Sequence, residues 1–150
     1  MVKKLFQHLH LPQKTIALLF SALLLTTANV TTVNANEVEV VDVKIHQQND
    51  KTWTFAVTLK HDDKGWDHYA NEWQVIGADN KIFGTRTLYH PHVNEQPFTR
   101  NLSGVKIPTD IKTIRVIAKD TVHGLSHKAA EINLQTKEIK QVTLVLKKAK

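Results

Sequence analysis

The stretch TWTFAVTLK, residues 52–60, alternates apolar and polar side chains without interruption. Trp53, Phe55, Val57 and Leu59 share one face, while threonine, alanine and lysine side chains share the other. Successive side chains of a β-strand point to opposite faces, so the pattern predicts a strand with one buried face. The period of two, rather than 3.6, argues against an amphipathic helix in this stretch.

Further short segments with strand character follow at regular intervals. VVDVKIH places Val41, Val43 and Ile45 on one face, and the turn ADNK separates two strands of a predicted hairpin. The other candidates are FTRNLSGVKIP (98–108), KTIRVIAKD (112–120), AEINL (130–134) and QVTLVL (141–146). Seven or eight short strands without a convincing helix predict an all-β fold. We expect a single immunoglobulin-like or fibronectin-like antiparallel β-sandwich.

The first 35 residues have the layout of a secretory signal peptide. Lys3 and Lys4 precede the apolar run IALLFSALLL (16–25), and small residues lead to VNA (33–35). We therefore predict a signal peptide over 1–35 and a β-sandwich domain over 36–150, with an earlier cut after Ala28 as an alternative. An uncleaved anchor is disfavoured because a membrane helix needs about 20 apolar residues. Without a cysteine after the run, a bacterial lipoprotein signal is not expected.

Composition narrows the classes of function. Removal of the signal takes away three lysines and no acidic residue, so the formal charge falls from +6 to +3. No basic helix is apparent, so nucleic acid is not an expected partner, and no membrane partner is expected after cleavage. The chain has no cysteine, and its single methionine is Met1. Any metal in the mature protein must therefore be held by imidazole and oxygen. The predicted location is periplasmic or secreted.

Histidines gather where predicted strands start or end. His68 precedes the strand near Trp73, His90 and His92 follow the strand that ends near residue 89, and His123 follows the strand 112–120. In an antiparallel sandwich, the start of one strand and the end of its hairpin neighbour lie at the same pole. We therefore predict a metal site formed by His68, His90, His92 and His123. Imidazole ligands favour Cu(II) or Zn(II).

Several neighbours of these histidines are given supporting roles. Asp67 and Asp120 are predicted to accept imidazole N–H bonds, as carboxylates commonly do for metal-bound histidine. Glu95 and Arg100 are predicted to form a buried ion pair that closes the HPH turn, and Trp66 to contact a ligand.

An alternative interpretation remains open. The same polar residues can form a structural network without a metal, with Tyr89 and Phe98 simply part of the core. Sequence spacing alone does not decide between the two, because it does not prove that the side chains converge in space.

Three blocks carry a resemblance to a known family. GWDHYANEWQV, FGTRTLYHPHVNEQPFTRNLSGVKIP and KDTVHG, which span roughly residues 65–124, resemble a family of small exported bacterial proteins. Its members have the pattern WDHYA, HPHVxEQPFTRsLSGVxIP and DSVHG, in that order. The chain departs from this pattern at Thr121 and after Glu131. The family has no established activity, so the resemblance implies a class and that the blocks act as one unit.

Three classes of function follow from the sequence. The first is a non-catalytic exported binding module for a metal ion, a small ligand or an exported protein partner. The second is an enzyme, which is disfavoured because GxSxG and HExxH motifs and an obvious carboxylate pair are absent. The third is a purely structural or protein-interaction domain that docks through a sheet edge.

Overall fold

The structure, a computed structural model, describes residues 36–145, which form eight β-strands and no helix. The strands are β1 Glu39–Gln47, β2 Trp53–Lys60, β3 Ala70–Ile76, β4 Ile82–Thr87, β5 Phe98–Val105, β6 Thr113–Asp120, β7 Gly124–Asn133 and β8 Ile139–Thr143. The predicted all-β architecture is confirmed. Within this range no helix is long and apolar enough to cross a bilayer. The predicted signal peptide, residues 1–35, lies outside the described residues.

The strands form two antiparallel sheets. One has the order β1-β2-β5 and the other the order β4-β3-β6-β7-β8, so the chain crosses between sheets after β2, after β4 and after β5. Apolar side chains from both sheets meet in one main core. Its largest fully buried members include Trp73, Phe55, Phe98, Leu59 and Ile114. This is the sandwich that the short alternating strands predicted.

Strand β2 lies at the centre of the three-stranded sheet. Phe55, Val57 and Leu59 are completely buried, and Trp53 is 8% exposed. The strand pairs with β1 on one side and with β5 on the other. Its inward face is therefore covered by the opposite sheet, as its alternation predicted.

The prediction for β1 is wrong in one respect. Val41 is 40% exposed, whereas Val40 and Val43 are buried and Ile45 is partly buried. The register with β2 shifts between Val40 and Asp42. Such a bulge inserts one extra residue and reverses the inward and outward positions that follow it. The valines of VEVV (38–41) therefore do not all lie on one face of the strand, because Val38 and Val40 are buried and Val41 is exposed.

The turn after β3 and the turn after β6 lie at opposite ends of the sandwich, and the second one belongs to the candidate site. The ADNK turn between β3 and β4 is confirmed, with Asn80 at φ 64° and the Gly77 N–H donating to the Lys81 carbonyl at 2.8 Å. Strand β7 begins at Gly124, earlier than the segment AEINL predicted, because its pairing with β6 continues to Asp120. Only residues 121–123 connect β6 to β7. The aspartate and histidine of DTVHG therefore lie at the very end of the sheet.

Candidate functional site

Three connections meet at one end of the sandwich. They are the β2–β3 connection (61–69), the β4–β5 connection (88–97) and the short β6–β7 turn. The Thr121 N–H donates to the Tyr69 carbonyl at 3.1 Å, which joins the first connection to the third. The His92 N–H donates to the Asp63 carboxylate at 2.6 Å, which joins the first to the second. The DHYA, HPH and DTVHG blocks are thus linked by hydrogen bonds.

Asp63 connects several chain segments at this end of the sandwich. The residue is only 3% exposed. One carboxylate oxygen accepts from His61 Nδ1 at 2.6 Å and from the Ala70 N–H at 3.0 Å, while the other accepts from the His92 N–H. A buried carboxylate normally requires such donors, because burial without them is costly. The three bonds tie the start of β3 and the HPH segment to the end of β2.

His61, His68 and Asp120 form a compact group of candidate metal ligands. One ligand atom from each lies within 4.8 Å of the other two. The His61 and His68 rings approach edge to face, with centroids 4.7 Å apart. The His68 Nε2 atom lies 3.3 Å from the Asp120 carboxylate, yet it is buried without a hydrogen bond. This nitrogen lies beside a charged carboxylate and makes no hydrogen bond of its own.

His61 is held on both sides of its ring. Nδ1 contacts the Asp63 carboxylate, and Nε2 lies 3.1 Å from the backbone carbonyl of Asn36. Both partners can only accept, so each bond needs a hydrogen on the ring nitrogen that makes it. Binding of a metal at Nε2 would replace one of these hydrogens. Asp63 would then orient the ring, as outer carboxylates do at histidine-ligated metals.

Asp120 supplies a negative charge to the group. It is 1% exposed, and one oxygen accepts from the Val122 N–H at 2.9 Å and the His123 N–H at 2.6 Å. Burial pushes the pKa of Asp120 upward, but the backbone N–H groups and the His123 ring outweigh it and hold the pKa below its ordinary value. The carboxylate is therefore ionised at neutral pH. Asp120 therefore belongs to the candidate ligand group, whereas the sequence predicted only a supporting position for it.

The other predicted metal ligands occupy different places. The His123 ring lies 5.0 Å from the His68 ring, and its Nδ1 contacts the Asp120 carboxylate. The His90 and His92 rings lie 4.6 Å apart, with His90 exposed and His92 buried. His123 therefore lies beside His68, and His90 and His92 lie beside each other. The three-residue group in the described part of the chain includes His68 but not His90, His92 or His123.

The supporting residues also differ from expectation. Trp66 is 69% exposed and packs edge to face against Tyr69. The carboxylate of Asp67 is exposed, and the residue's contact with the turn is made by its backbone carbonyl, which accepts from the Thr121 hydroxyl. Phe98 is buried and stacks on the His92 ring at 3.8 Å, whereas Tyr89 is 77% exposed. Of the two aromatic residues considered for the core, only Phe98 belongs to it.

Glu95 and Arg100 do pair, but not in the buried setting predicted for them. Two guanidinium nitrogens donate to the two carboxylate oxygens at 3.3 and 2.9 Å. The Glu95 side chain is 59% exposed, so the prediction of a buried pair is wrong. The Arg100 hydrogen bond holds the pKa of Glu95 below its ordinary value. Water nevertheless screens the pair, and an exposed pair contributes little to stability.

This exposure changes what mutation of the pair should do. We expect Glu95→Ala, Arg100→Ala and the double variant to have similar midpoints of urea unfolding, because neither charge is left buried alone. A buried pair would instead make each single variant less stable than the double variant. Urea melts of the four proteins in a double-mutant cycle measure the difference. A large coupling energy would contradict the exposed geometry.

His92 predicts a specific dependence of stability on pH. Burial, the Arg100 charge and the His90 charge lower the pKa of His92, while Glu95 and Asp63 oppose them. In the unfolded chain the group titrates near 6.5. The unfolded state therefore binds more protons just below that pH, so the contribution of a neutral His92 is complete above about 6.5 and is lost as pH falls towards the folded pKa.

Unfolding free energies at about pH 7.5 and 5.5 test this contribution. We expect wild type to lose more stability on acidification than His92→Gln, which does not titrate. His46→Gln, a change of an exposed histidine on β1, is the matched control and should behave as wild type. Equal losses in wild type and His92→Gln would show that His92 does not titrate differently on folding.

Sequence reasoning missed His61 and Asp63. The signal for both was present in β2, whose buried positions are all odd-numbered. The sequence TWTFAVTLKHDD continues this alternation past the strand end, so His61 and Asp63 face inward with Trp53, Phe55, Val57 and Leu59. Two polar residues on the inward phase of a core strand indicate a buried polar cluster.

Fold and site together define the class as an antiparallel β-sandwich with a buried histidine–aspartate cluster at one pole. The chain is similar to a protein of Halomicrobium mukohataei named "Putative lipoprotein", with 33% identity over 104 residues. The match covers 69% of this chain and 51% of that relative, so the chain spans about half of the relative's length. No protein-family model and no solved structure matches the chain. The relative's name agrees with an exported class of protein.

Proposed function

We propose that the protein is an exported, non-catalytic binding module that holds one Zn(II) or Cu(II) ion through His61, His68 and Asp120. The observation that carries this proposal is the buried His68 Nε2, which lies 3.3 Å from an ionised carboxylate without a hydrogen bond. A nitrogen in that position has a lone pair or a proton to share and no partner for it. A cation between His68 and Asp120 would give this nitrogen a partner beside the charge of the carboxylate.

The spacing of His68 and Asp120 is compatible with a shared metal ion. Two ligands each about 2.0–2.1 Å from a tetrahedral zinc ion lie about 3.3 Å apart. His68 Nε2 and the Asp120 oxygen have this separation. The third ligand atom, on His61, lies within 4.8 Å of both. Three protein ligands would leave a fourth position open.

Partners outside the ligand group are also in place. Asp63 accepts from His61 Nδ1, which fixes the ring and makes Nε2 the nitrogen that faces the site. The His123 ring contacts both oxygens of Asp120 and limits rotation of that carboxylate. Such outer contacts orient ligands and raise metal affinity. The predicted set of four histidines is thereby revised to a group that retains His68.

The donor types select the metal. Two imidazoles and a carboxylate suit Zn(II) and Cu(II), whereas Cu(I) prefers sulfur. The chain has no cysteine, and its one methionine belongs to the predicted signal peptide. Export is supported by the KK, IALLFSALLL and VNA series and by the name of the similar protein. Periplasmic or secreted residence is part of this proposal.

Isothermal titration of untagged, chelator-treated protein with Zn(II) and with Cu(II) tests the proposal. We expect one ion per chain, with affinity that falls as pH drops through about 6.5, because the imidazoles must lose protons to bind. His68→Gln should weaken binding by about 10–100-fold or more, since even partners outside the ligand group have effects of that size.

Two matched variants sharpen the result. His46→Gln changes an exposed histidine far along β1 and should leave affinity unchanged. His90→Gln tests the HPH arm that the sequence favoured, and it should also leave affinity unchanged if the ion lies among His61, His68 and Asp120. A strong effect of His90→Gln would indicate that the ion binds at the HPH pair instead. Absence of binding to either ion would establish the structural polar network instead.

A further inference from the structure

The chain that leads into β1 contacts one member of the candidate metal group. The Asn36 carbonyl oxygen lies 3.1 Å from His61 Nε2, the nitrogen that would face a metal. Asn36 is also the first residue after the predicted signal cleavage site. The predicted cleavage site and the contact with His61 are independent observations that both concern Asn36.

The neighbouring residue fixes this segment to the sandwich. The Glu37 side chain is 2% exposed, and its carboxylate accepts from the His127 N–H at 2.9 Å and from His127 Nδ1 at 2.7 Å. The Ser126 hydroxyl adds a third bond at 3.3 Å. Val38 then enters the core with no exposed surface. Asn36 is therefore held at the cluster by the residue that follows it.

We propose that cleavage of the Ala35–Asn36 bond completes the metal site by delivering the new α-amino group of Asn36 as a further ligand. This inference rests on the proposed function, because it concerns the same ion. The amino nitrogen and the carbonyl oxygen of Asn36 would bind the ion together and close a five-membered chelate ring. The same ion would bind the Asn36 carbonyl and His61 Nε2, which lie 3.1 Å apart, together with His68 and Asp120.

The chemistry of the cleavage supports this role. Hydrolysis adds one water across the peptide bond, which leaves a carboxylate on Ala35 and an amine on Asn36. Before cleavage the nitrogen is an amide whose lone pair is delocalised into the carbonyl, so it is a poor ligand. After cleavage it is an amine that binds metals once it is neutral, and its ordinary pKa is about 7.7–8.0.

Geometry places the amine within reach of the group. Covalent bond lengths keep the nitrogen of a residue within about 4 Å of its own carbonyl oxygen. That oxygen already lies 3.1 Å from His61 Nε2, a separation close to that of two ligands on one ion. The precursor would then bind metal more weakly than the exported protein.

The test compares two exported proteins made from full-length chains. One is the natural chain, and the other has a single glycine inserted between Ala35 and Asn36, which moves the free amine one residue away from the site. Both are purified without a tag after export and titrated with Cu(II) and Zn(II) at about pH 8. Intact mass identifies the first residue of each product, and thermal unfolding without metal provides the control for folding.

We expect the natural product to begin at Asn36 and to bind Cu(II) about tenfold or more tightly than the insertion variant, since a tethered donor acts at high effective concentration. Electron paramagnetic resonance should show one fewer nitrogen bound to Cu(II) in the variant. Equal affinity in both would overturn this inference and leave the metal site intact, as would a natural product that starts elsewhere. Absence of binding in both would overturn the proposed function itself.

Discussion

Phe55→Ala is expected to lower the free energy of unfolding by about 3–5 kcal/mol. Phe55 has no exposed surface and lies in the middle of β2, between β1 and β5. The substitution removes most of a large side chain from a close-packed core. The cost has two parts, the lost transfer of apolar surface from water and the cavity that remains.

Urea unfolding of the two proteins measures this effect, with the midpoint and slope taken from the same transition. Lys60→Ala is the matched control, because Lys60 ends the same strand with its side chain exposed. We expect the control to stay within about 0.5 kcal/mol of wild type. A loss below about 1 kcal/mol for Phe55→Ala would mean that the inward face of β2 is misassigned.

The strand that decides the fold was predictable because its alternation is complete. Every second residue from Trp53 to Leu59 is apolar, and a strand with that pattern can bury only one face. The same argument failed for β1, where Val40 and Val41 are consecutive valines. A bulge at this point changes which valine faces inward, and a run of equivalent side chains contains no information about where a bulge falls.

Part of the candidate site was also predictable. Antiparallel order brings the ends of β2, β4 and β6 to one pole, and DHYA, HPH and DTVHG are indeed linked there. The identity of the candidate ligands was not predictable in full, because i, i+2 spacing made His90 and His92 look like a chelating pair. In the structure the His92 ring packs on Phe98 instead. The two rings still lie 4.6 Å apart, but packing buries His92 and leaves His90 exposed, a difference that sequence spacing does not report.

Asp63 shows what a sequence argument based on histidines leaves out. Asp67 and Asp120 were the two carboxylates predicted to accept imidazole N–H bonds. Asp120 fulfils this role for His123, but the carboxylate of Asp67 is exposed. The carboxylate that orients His61 belongs to Asp63, which continues the buried alternation of β2 two residues further along the chain. The alternation of β2 therefore predicts the buried carboxylate at this end of the sandwich better than the clustering of polar residues in the sequence does.

Asp63→Ala is expected to be the most damaging polar substitution at the pole, with a loss of about 3–5 kcal/mol in the free energy of unfolding. The change removes the acceptor of the His61 ring and of two backbone N–H groups, those of Ala70 and His92. All three donors would remain in a place that water does not reach easily. Donors that are buried without a partner retain the full cost of desolvation.

Two further variants separate stability from orientation of the ligands. Asp62→Ala changes the adjacent, exposed carboxylate, which pairs with Lys64, and it should leave the unfolding midpoint unchanged. Asp63→Asn keeps the shape and part of the acceptor capacity, so it should fold better than Asp63→Ala. If His61 binds a metal, Asp63→Asn should still weaken affinity by about 10–100-fold, because the ring loses its orienting carboxylate. A stable Asp63→Ala protein with unchanged metal affinity would contradict both roles assigned to Asp63.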